Sequence, residues 1–438
     1  MNVRRKALFG LCLLFASATL AAQKPAGGKS VPTASYKLIS LKVTGSNRYT
    51  EKEILPASGL ELGQNVGDAD FKEAVRRLGD SGLFTDIAYS YSFSPAGTKL
   101  EFQLTDAGPE TRVPIHFENF VWFTDTELVH ELQLRVPLYK DQLPVGGSMP
   151  DRVEAALQAI LDEKRIPARV DYLRESPPEG EKLTGIAYSV EAMGIRIRNV
   201  EFPGATPDLL PGLQAAARRL AGAPYRRSPL SLVAKVDFLP VCLKRGYLKA
   251  SFAAADARVA SQSEGDVEVD AIFQVAPGKI YSTSAVDWKG NSVVKTDDLQ
   301  TLLHLPLGKP ADAVQLITDL ENAIKLYRAR GYMVARITPH PTLDDEKSAV
   351  HYELEVAEGD QFKMGDLEIV GLDSQAKAHL QAEWKLQEGD PYNGEYAKQF
   401  LDRTSQLLPR GVPWNISIHE AVNEKDKTVD VTLRFTAR

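Results

Sequence analysis

The chain has 438 residues, 43% of them hydrophobic and 25% charged, a composition ordinary for soluble globular chains. At about 150 residues per domain, that length favours several domains. A formal net charge of −6 argues against a dedicated nucleic-acid binder, whose footprint would be basic, and leaves protein partners open.

The first 22 residues differ from the rest. Arg4, Arg5 and Lys6 form a positive start, Ala7 to Phe15 an apolar run, and Ala16-Ser17-Ala18 or Thr19-Leu20-Ala21 a small-residue cleavage site. The run is shorter than the roughly 20 residues of a spanning helix, so residues 1–22 are expected to be a signal peptide rather than an uncleaved anchor. Cys12 lies inside it behind Phe9-Gly10-Leu11, a poor lipidation motif. Cleavage would remove three positive charges and take the net charge to −9. Residues 23–35 read as a flexible leader. Gly28-Lys29-Ser30 there mimics the tail of a phosphate loop. Position 23 is Gln where that motif needs Gly, and no strand or helix flanks it.

Residues 36–108 make a first repeat. Ile39, Leu41 and Val43 alternate into Gly45, and Thr50 to Glu53 form a capping box for a helix ending near Gly59. Phe71, Ala74, Val75 and Leu78 stripe a second helix closed by Gly82-Leu83-Phe84. Ile87, Tyr89, Tyr91 and Phe93 then alternate, Pro95-Ala96-Gly97 turns, and Leu100, Phe102 and Leu104 alternate back: a hairpin. Residues 109–192 repeat the order divergently. Val153, Leu157, Ile160 and Leu161 mark the second helix, but Arg165-Ile166 replaces the Gly-aromatic close. Residues 193–278 return to pattern, with Val200 and Phe202 before Pro203-Gly204, a Gly246-Tyr247 close, and Pro240 expected to kink the second helix. Cys242, the one cysteine beyond the signal peptide, lies four residues before Gly246 as Tyr327 lies four before Gly331. It is expected to be a reduced, buried core residue.

Residues 279–359 carry the clearest repeat. A strand from Ile280 to Trp288 turns at Gly290-Asn291, and a short helix follows over Thr296 to Leu303 with Thr296 as its N-cap. After Leu307-Gly308-Lys309-Pro310, a longer helix places Val314, Ile317, Leu320, Ile324 and Tyr327 on one face. Gly331-Tyr332 ends it. One strand follows around Val334 and Ile337, and another alternates Val350, Tyr352, Leu354 and Val356. Residues 360–438 repeat the order with Tyr396, Phe400, Leu401, Leu407 and Leu408 on a helix closing at Gly411, and a last strand of Val429, Val431, Leu433 and Phe435. Strand, helix, helix, strand, strand recurring five times is the mark of a repeat protein.

Trp288-Lys289-Gly290-Asn291, Leu307-Gly308-Lys309-Pro310, the Tyr327 to Tyr332 helix close and Glu358-Gly359, in that order and spacing, resemble a POTRA (polypeptide-transport-associated) domain. That is the periplasmic module of outer-membrane barrel-assembly proteins. The resemblance implies an α+β fold of five tandem modules, each a three-stranded mixed sheet under two helices. Its third strand would be central and its second exposed at an edge, the modules forming an elongated, curved array. A membrane barrel of eight strands would need about 80 further residues. The sequence stops at the last strand of repeat five, so this reading is of the array without the barrel.

None of the seven histidines pairs at the spacing of helical metal ligands. The acidic runs Asp344-Asp345-Glu346 and Glu424 to Asp426 fall on expected hairpin turns, and no nucleophile elbow or dinucleotide fingerprint occurs. The expectation is therefore a non-enzyme with no cofactor and no metal, in the periplasm and at most peripheral to the outer membrane. Its expected partners are outer-membrane barrel proteins or barrel-assembly components, not nucleic acid. They would be bound by adding a strand to an exposed sheet edge. The alternative is an architectural adaptor that docks folded partners only.

Edge strands are normally protected by charge or proline. Repeat two's candidate edge carries Arg169, Asp171, Arg174 and Glu175. Repeat four's carries Arg336, Pro339 and Pro341, repeat five's has Glu420 at its end, and repeat three has Lys249. The stretch Ile87, Ala88, Tyr89, Ser90, Tyr91, Ser92 and Phe93 has neither charge nor proline, and is the candidate protein-binding strand. The competing expectation is that repeat two or the leader covers it.

Overall fold

The computed structural model describes residues 36–177, 180, 182–263, 265–404, 408 and 413–437. The expected signal peptide and leader, with Cys12 and Gly28-Lys29-Ser30, and the helix-end residues Leu407 and Gly411 lie outside the described residues.

Repeat one runs β1 (Leu38–Thr44), α1 (Glu51–Ser58), α2 (Asp68–Asp80), β2 (Phe84–Ser94), β3 (Gly97–Asp106). Repeat four runs β13 (Ser282–Lys289), α8 (Thr296–Gln300), α9 (Ala313–Arg328), β14 (Arg336–Asp344), β15 (Ala349–Ala357). Repeat five runs β16 (Lys363–Val370), α10 (Ser374–Glu383), α11 (Tyr396–Thr404), β17 (Trp414–Asn423), β18 (Thr428–Ala437). In each, the third strand lies between a parallel first strand and an antiparallel second strand. The centre is the third strand because it has partners on both sides. Its alternating large residues, such as Val350, Tyr352, Leu354 and Val356, are all buried.

Repeats two and three elaborate this plan. Repeat two has β4 (Arg112–Phe117), α3 (Asp125–Arg135), β5 (Gln142–Pro144), α4 (Met149–Glu163), β6 (Arg169–Glu175) and β7 (Gly185–Glu191). Its sheet has four strands, not three, in the order β5-β4-β7-β6. Repeat three has β8 (Gly194–Glu201), α5 (Leu210–Ala217), α6 (Arg227–Val233), α7 (Leu239–Leu243), β10 (Asp256–Gln262) and β11 (Asp266–Ile272). A two-stranded ribbon of β9 (Ser251–Phe252) and β12 (Val275–Ala276) is added to it. Its second helix carries Pro240 two residues past a π-helical turn, Ala234–Phe238, through which α6 runs on into α7.

Several local expectations are corrected. In β1 the buried residues are Leu38 and Leu41, while Ile39 is 39% exposed. A register shift between Leu38 and Ser40 resets the alternation, and the first strands of repeats three, four and five carry the same shift. On α9 the buried face is Leu316, Leu320, Ala323 and Tyr327, and Ile317 is 56% exposed. The stripe is rotated because it includes Asp319. That carboxylate is fully buried and accepts from the His304 backbone N–H at 2.6 Å and from Gln315 Nε2 at 2.8 Å. Lys295, not Thr296, is the N-cap of α8, which ends at Gln300 rather than Leu303. The Thr296 hydroxyl instead meets Asn291 Nδ2 at 3.1 Å. Arg165 takes the left-handed conformation (φ 56°) that glycine takes elsewhere, and Ile166 N–H reaches back to Leu161 O at 3.0 Å. The divergent close of repeat two is therefore the same turn made with a different residue.

Candidate protein-binding edge

A sheet edge is available only where nothing bonds its backbone. The start of each first strand is closed. Leu38, Ile197, Thr283 and Met364 each exchange two backbone bonds with the loop joining the two helices. The partners are Gly63 and Gln64, Gly222 and Ala223, Gly308 and Lys309, and Gly389 and Asp390. Leu307-Gly308-Lys309-Pro310 is thus an edge clasp, and repeat two lengthens it into β5, which pairs with β4 over Arg112 to Pro114. The second strands β2, β6, β10, β14 and β17 are left at the sheet edges.

Four of them are blunted. Arg169, Asp171, Arg174 and Glu175 all fall within β6, and Arg336, Pro339 and Pro341 within β14. In repeat three Lys249 is not on the edge: it precedes β9 and pairs with Asp345 at 2.6 Å. The edge strand β10 carries Asp256 and Arg258 instead. In repeat five Glu420 lies inside β17 rather than at its end, and its carboxylate accepts from Tyr392 Oη and Arg328 Nη2, each at 2.6 Å.

All seven residues Ile87 to Phe93 lie on β2, paired to β3 from Ile87↔Leu104 to Phe93↔Thr98. Ala88, Ser90 and Ser92 are exposed, as are Tyr91 (40%) and Phe93 (43%). The rings form a ladder. Tyr89 stacks on Tyr91 at 6.3 Å, Tyr91 meets Phe93 edge-on at 5.2 Å, and Phe93 meets Tyr36 at 5.5 Å. Phe71 on α2, fully buried, lies 4.8 Å from Tyr91 and holds the ladder to the helix. One anchor was invisible in the sequence. Tyr89 Oη donates to Asp68 Oδ1 at 2.9 Å, and Lys72 Nζ lies 2.7 Å from the other oxygen of that carboxylate. The bonds from Lys72 and Tyr89 hold the Asp68 carboxyl below its ordinary range, and the adjacent carboxylate raises the Tyr89 phenol. Only the i, i+4 spacing of Asp68 and Lys72 could have hinted at it.

Among the described residues, no group of three or more His, Cys, Asp or Glu side chains could hold a metal ion. No described helix is long and apolar enough to cross a membrane. The chemistry β2 offers is backbone hydrogen bonding beside an aromatic face.

Residues 281–359, which contain β13 to β15, match the family model described as POTRA: Surface antigen variable number repeat. Among solved structures the chain is similar to POTRA domains 3–5 of BamA from Haemophilus influenzae. The identity is 21%, over 55% of this chain and 95% of that one, with a TM-score of 0.42. It is similar to POTRA domains 1–3 of the periplasmic domain of Omp85 from Anabaena, at 18% identity over 56% of this chain and 95% of that one (TM-score 0.26). It also matches CdiB from Escherichia coli at 19% identity, over 36% of this chain and 27% of that one (TM-score 0.21). Repeats one, three and five share the strand order, strand register shift and edge clasp of segment 281–359. Residues 281–359 are a POTRA domain, and the chain is a tandem array of POTRA-like modules.

Proposed function

We propose that this protein is an exported, non-enzymatic binding array of the periplasm that serves outer-membrane protein assembly or transport. It takes extended client strands on the open edge of β2. The observation that carries this reading is β2 itself: a sheet edge with no charge or proline from Ile87 to Phe93 and an aromatic ladder along one face. Backbone bonds would supply affinity, and the ladder would favour clients with large apolar residues at alternate positions. The charged, short apolar start of the sequence supports export. Mass spectrometry of the protein from its native envelope should find an N-terminus between Ser17 and Gln23, and an intact Met1 would refute export with cleavage.

Proline placed singly at Tyr89 and at Ser90 tests the edge, because only one of the two N–H groups points away from β3. The outward substitution should leave the thermal melt nearly unchanged and abolish binding of extended barrel-strand peptides. If both variants fold and both still bind, β2 is not the site. A second reading, an adaptor that spaces folded partners, is favoured by the tight joints between repeats three, four and five. There Tyr281 N–H bonds Gly246 O and Phe362 N–H bonds Gly331 O, each at 2.8 Å. An adaptor would bind none of the peptides.

A further inference from the structure

Repeat three has a second available edge, opposite β10. Its first strand β8 is an edge strand, and the clasp of Gly222 and Ala223 reaches only Ile197. The register then shifts between Ile197 and Asn199, leaving Arg198 as a bulge. Farther along, Phe273 N–H donates to Glu201 O at 2.9 Å, so the backbone of Glu201 faces the sheet. Backbone groups alternate sides along a strand, so those of Val200 and Phe202 face away from it. The Phe202 carbonyl accepts from Ala205 N–H at 3.2 Å. The Val200 N–H and C=O and the Phe202 N–H remain without a partner among the described residues.

These groups border a cavity of about 730 Å³ lined across from β8 by Gln214, Ala217 and Arg218. Repeat one fills the equivalent place: Val43, two residues before Gly45 as Phe202 is two before Gly204, donates its N–H to Glu51 Oε1 at 3.3 Å. Among the described residues of repeat three, no carboxylate does so. The other charges at this groove are balanced, Arg198 by Asp270 at 2.8 Å and Glu201 by Arg258 at 2.5 Å. Arg218, exposed, has no ion-pair partner among the described residues. Unpaired backbone donors and an acceptor on one wall face an unbalanced guanidinium on the other.

We propose that this groove is a second strand-addition site, taking an extended acidic peptide segment. Its backbone bonds Val200 and Phe202, and its carboxylate reaches Arg218. This shares strand addition with the function above but uses a different repeat and a different edge. A fluorescent, unstructured peptide with glutamates among alternating apolar residues, and its all-glutamine counterpart, serve as probes of the full chain by anisotropy.

Arg218→Glu should weaken the acidic peptide at least about 10-fold, the effect of losing one charge-assisted bond, and the glutamine peptide less than about 2-fold. Val200→Pro removes an outward N–H and should abolish binding of both peptides at this groove. Gln214→Trp fills the groove from an exposed position and should do the same, so the test survives if the proline variant does not fold. With β2 disabled by its outward proline, acidic-peptide binding should persist. If it disappears there, or if Arg218→Glu, Gln214→Trp and Val200→Pro all leave it unchanged, the groove is not a site, whatever becomes of β2.

Discussion

Gly290 shows how narrow the latitude is at single residues. It lies at φ 80°, and a Cβ there would stand 2.4 Å from the Val356 carbonyl oxygen. Gly45 and Gly371 repeat the arrangement against the third strands of their own repeats, and Gly204 repeats it against Val275 of β12. Left-handed strain and a backbone clash add, so Gly290→Ala should cost about 2–4 kcal/mol in a denaturant melt. Arg165 occupies a left-handed position without that clash, and Arg165→Gly should be neutral or stabilising by about 1 kcal/mol. Cys242 is fully buried, and burial pushes its thiol up to about 11. Thiol labelling should be slow in native buffer and fast after denaturation, and Cys242→Ala should cost about 1 kcal/mol. Fast native labelling would instead mark a reactive thiol.

Loop anchors set the elements, and they answer to pH. After β13, the Glu358 carboxylate accepts from Ser292 N–H, Ser292 Oγ and Val293 N–H at 2.8, 2.5 and 2.8 Å. Asp106 holds Ser46 and Asn47 the same way in repeat one. Burial raises the Glu358 carboxyl, but the bonds from Ser292 and Val293 outweigh it and leave the group below its ordinary range. Its contribution is therefore present above the unfolded value and lost as pH falls through the folded one. Glu358→Gln should cost about 1.5–3 kcal/mol at neutral pH and flatten the acid limb of the stability curve. His304 has the opposite sign. Its Nδ1 lies 2.8 Å from buried Asp319 Oδ1, and that bond raises the imidazole. Stability from this pair is present below the unfolded imidazole value and fades as pH rises through the raised folded value. Melts from pH 6 to 8 should fall less steeply for His304→Gln than for the parent protein, and equal slopes would dismiss the pair as a contributor.

At the scale of the molecule, repeats three to five are joined by one recurring device. The helix-closing Gly246 or Gly331 accepts from the aromatic residue that leads into the next repeat. A cation beside that close, Lys249 or Arg328, meets Asp345 or Glu420 of the next repeat at 2.6 Å. A buried tyrosine, Tyr281 or Tyr392, shares each carboxylate. Gly331 lies at φ 88°, with room for no Cβ between the Phe362 and Tyr392 carbonyls at 2.9 and 3.0 Å. Gly331→Val should therefore uncouple repeats four and five, splitting one calorimetric transition into two. A single transition at lower temperature would mean that this joint carries no cooperativity.

The sequence by itself determined the repeat, its strand–helix–helix–strand–strand order and the third-strand cores of repeats one, four and five. Those strands have neighbours on both sides, so alternation maps directly onto burial. The uncharged stretch Ile87 to Phe93 was legible for the same reason: protection of an edge is written in residue type. Tertiary structure decided the rest. A bulge moved the core of β1 from Ile39 to Leu38, and a buried carboxylate turned the α9 stripe away from Ile317, neither of which hydrophobic spacing records. It also gave Lys249, Glu420 and Asp345 their partners in neighbouring repeats and left a groove beside β8. Those depend on which residues distant in the chain come within a few ångströms, and a local pattern carries no information about that distance.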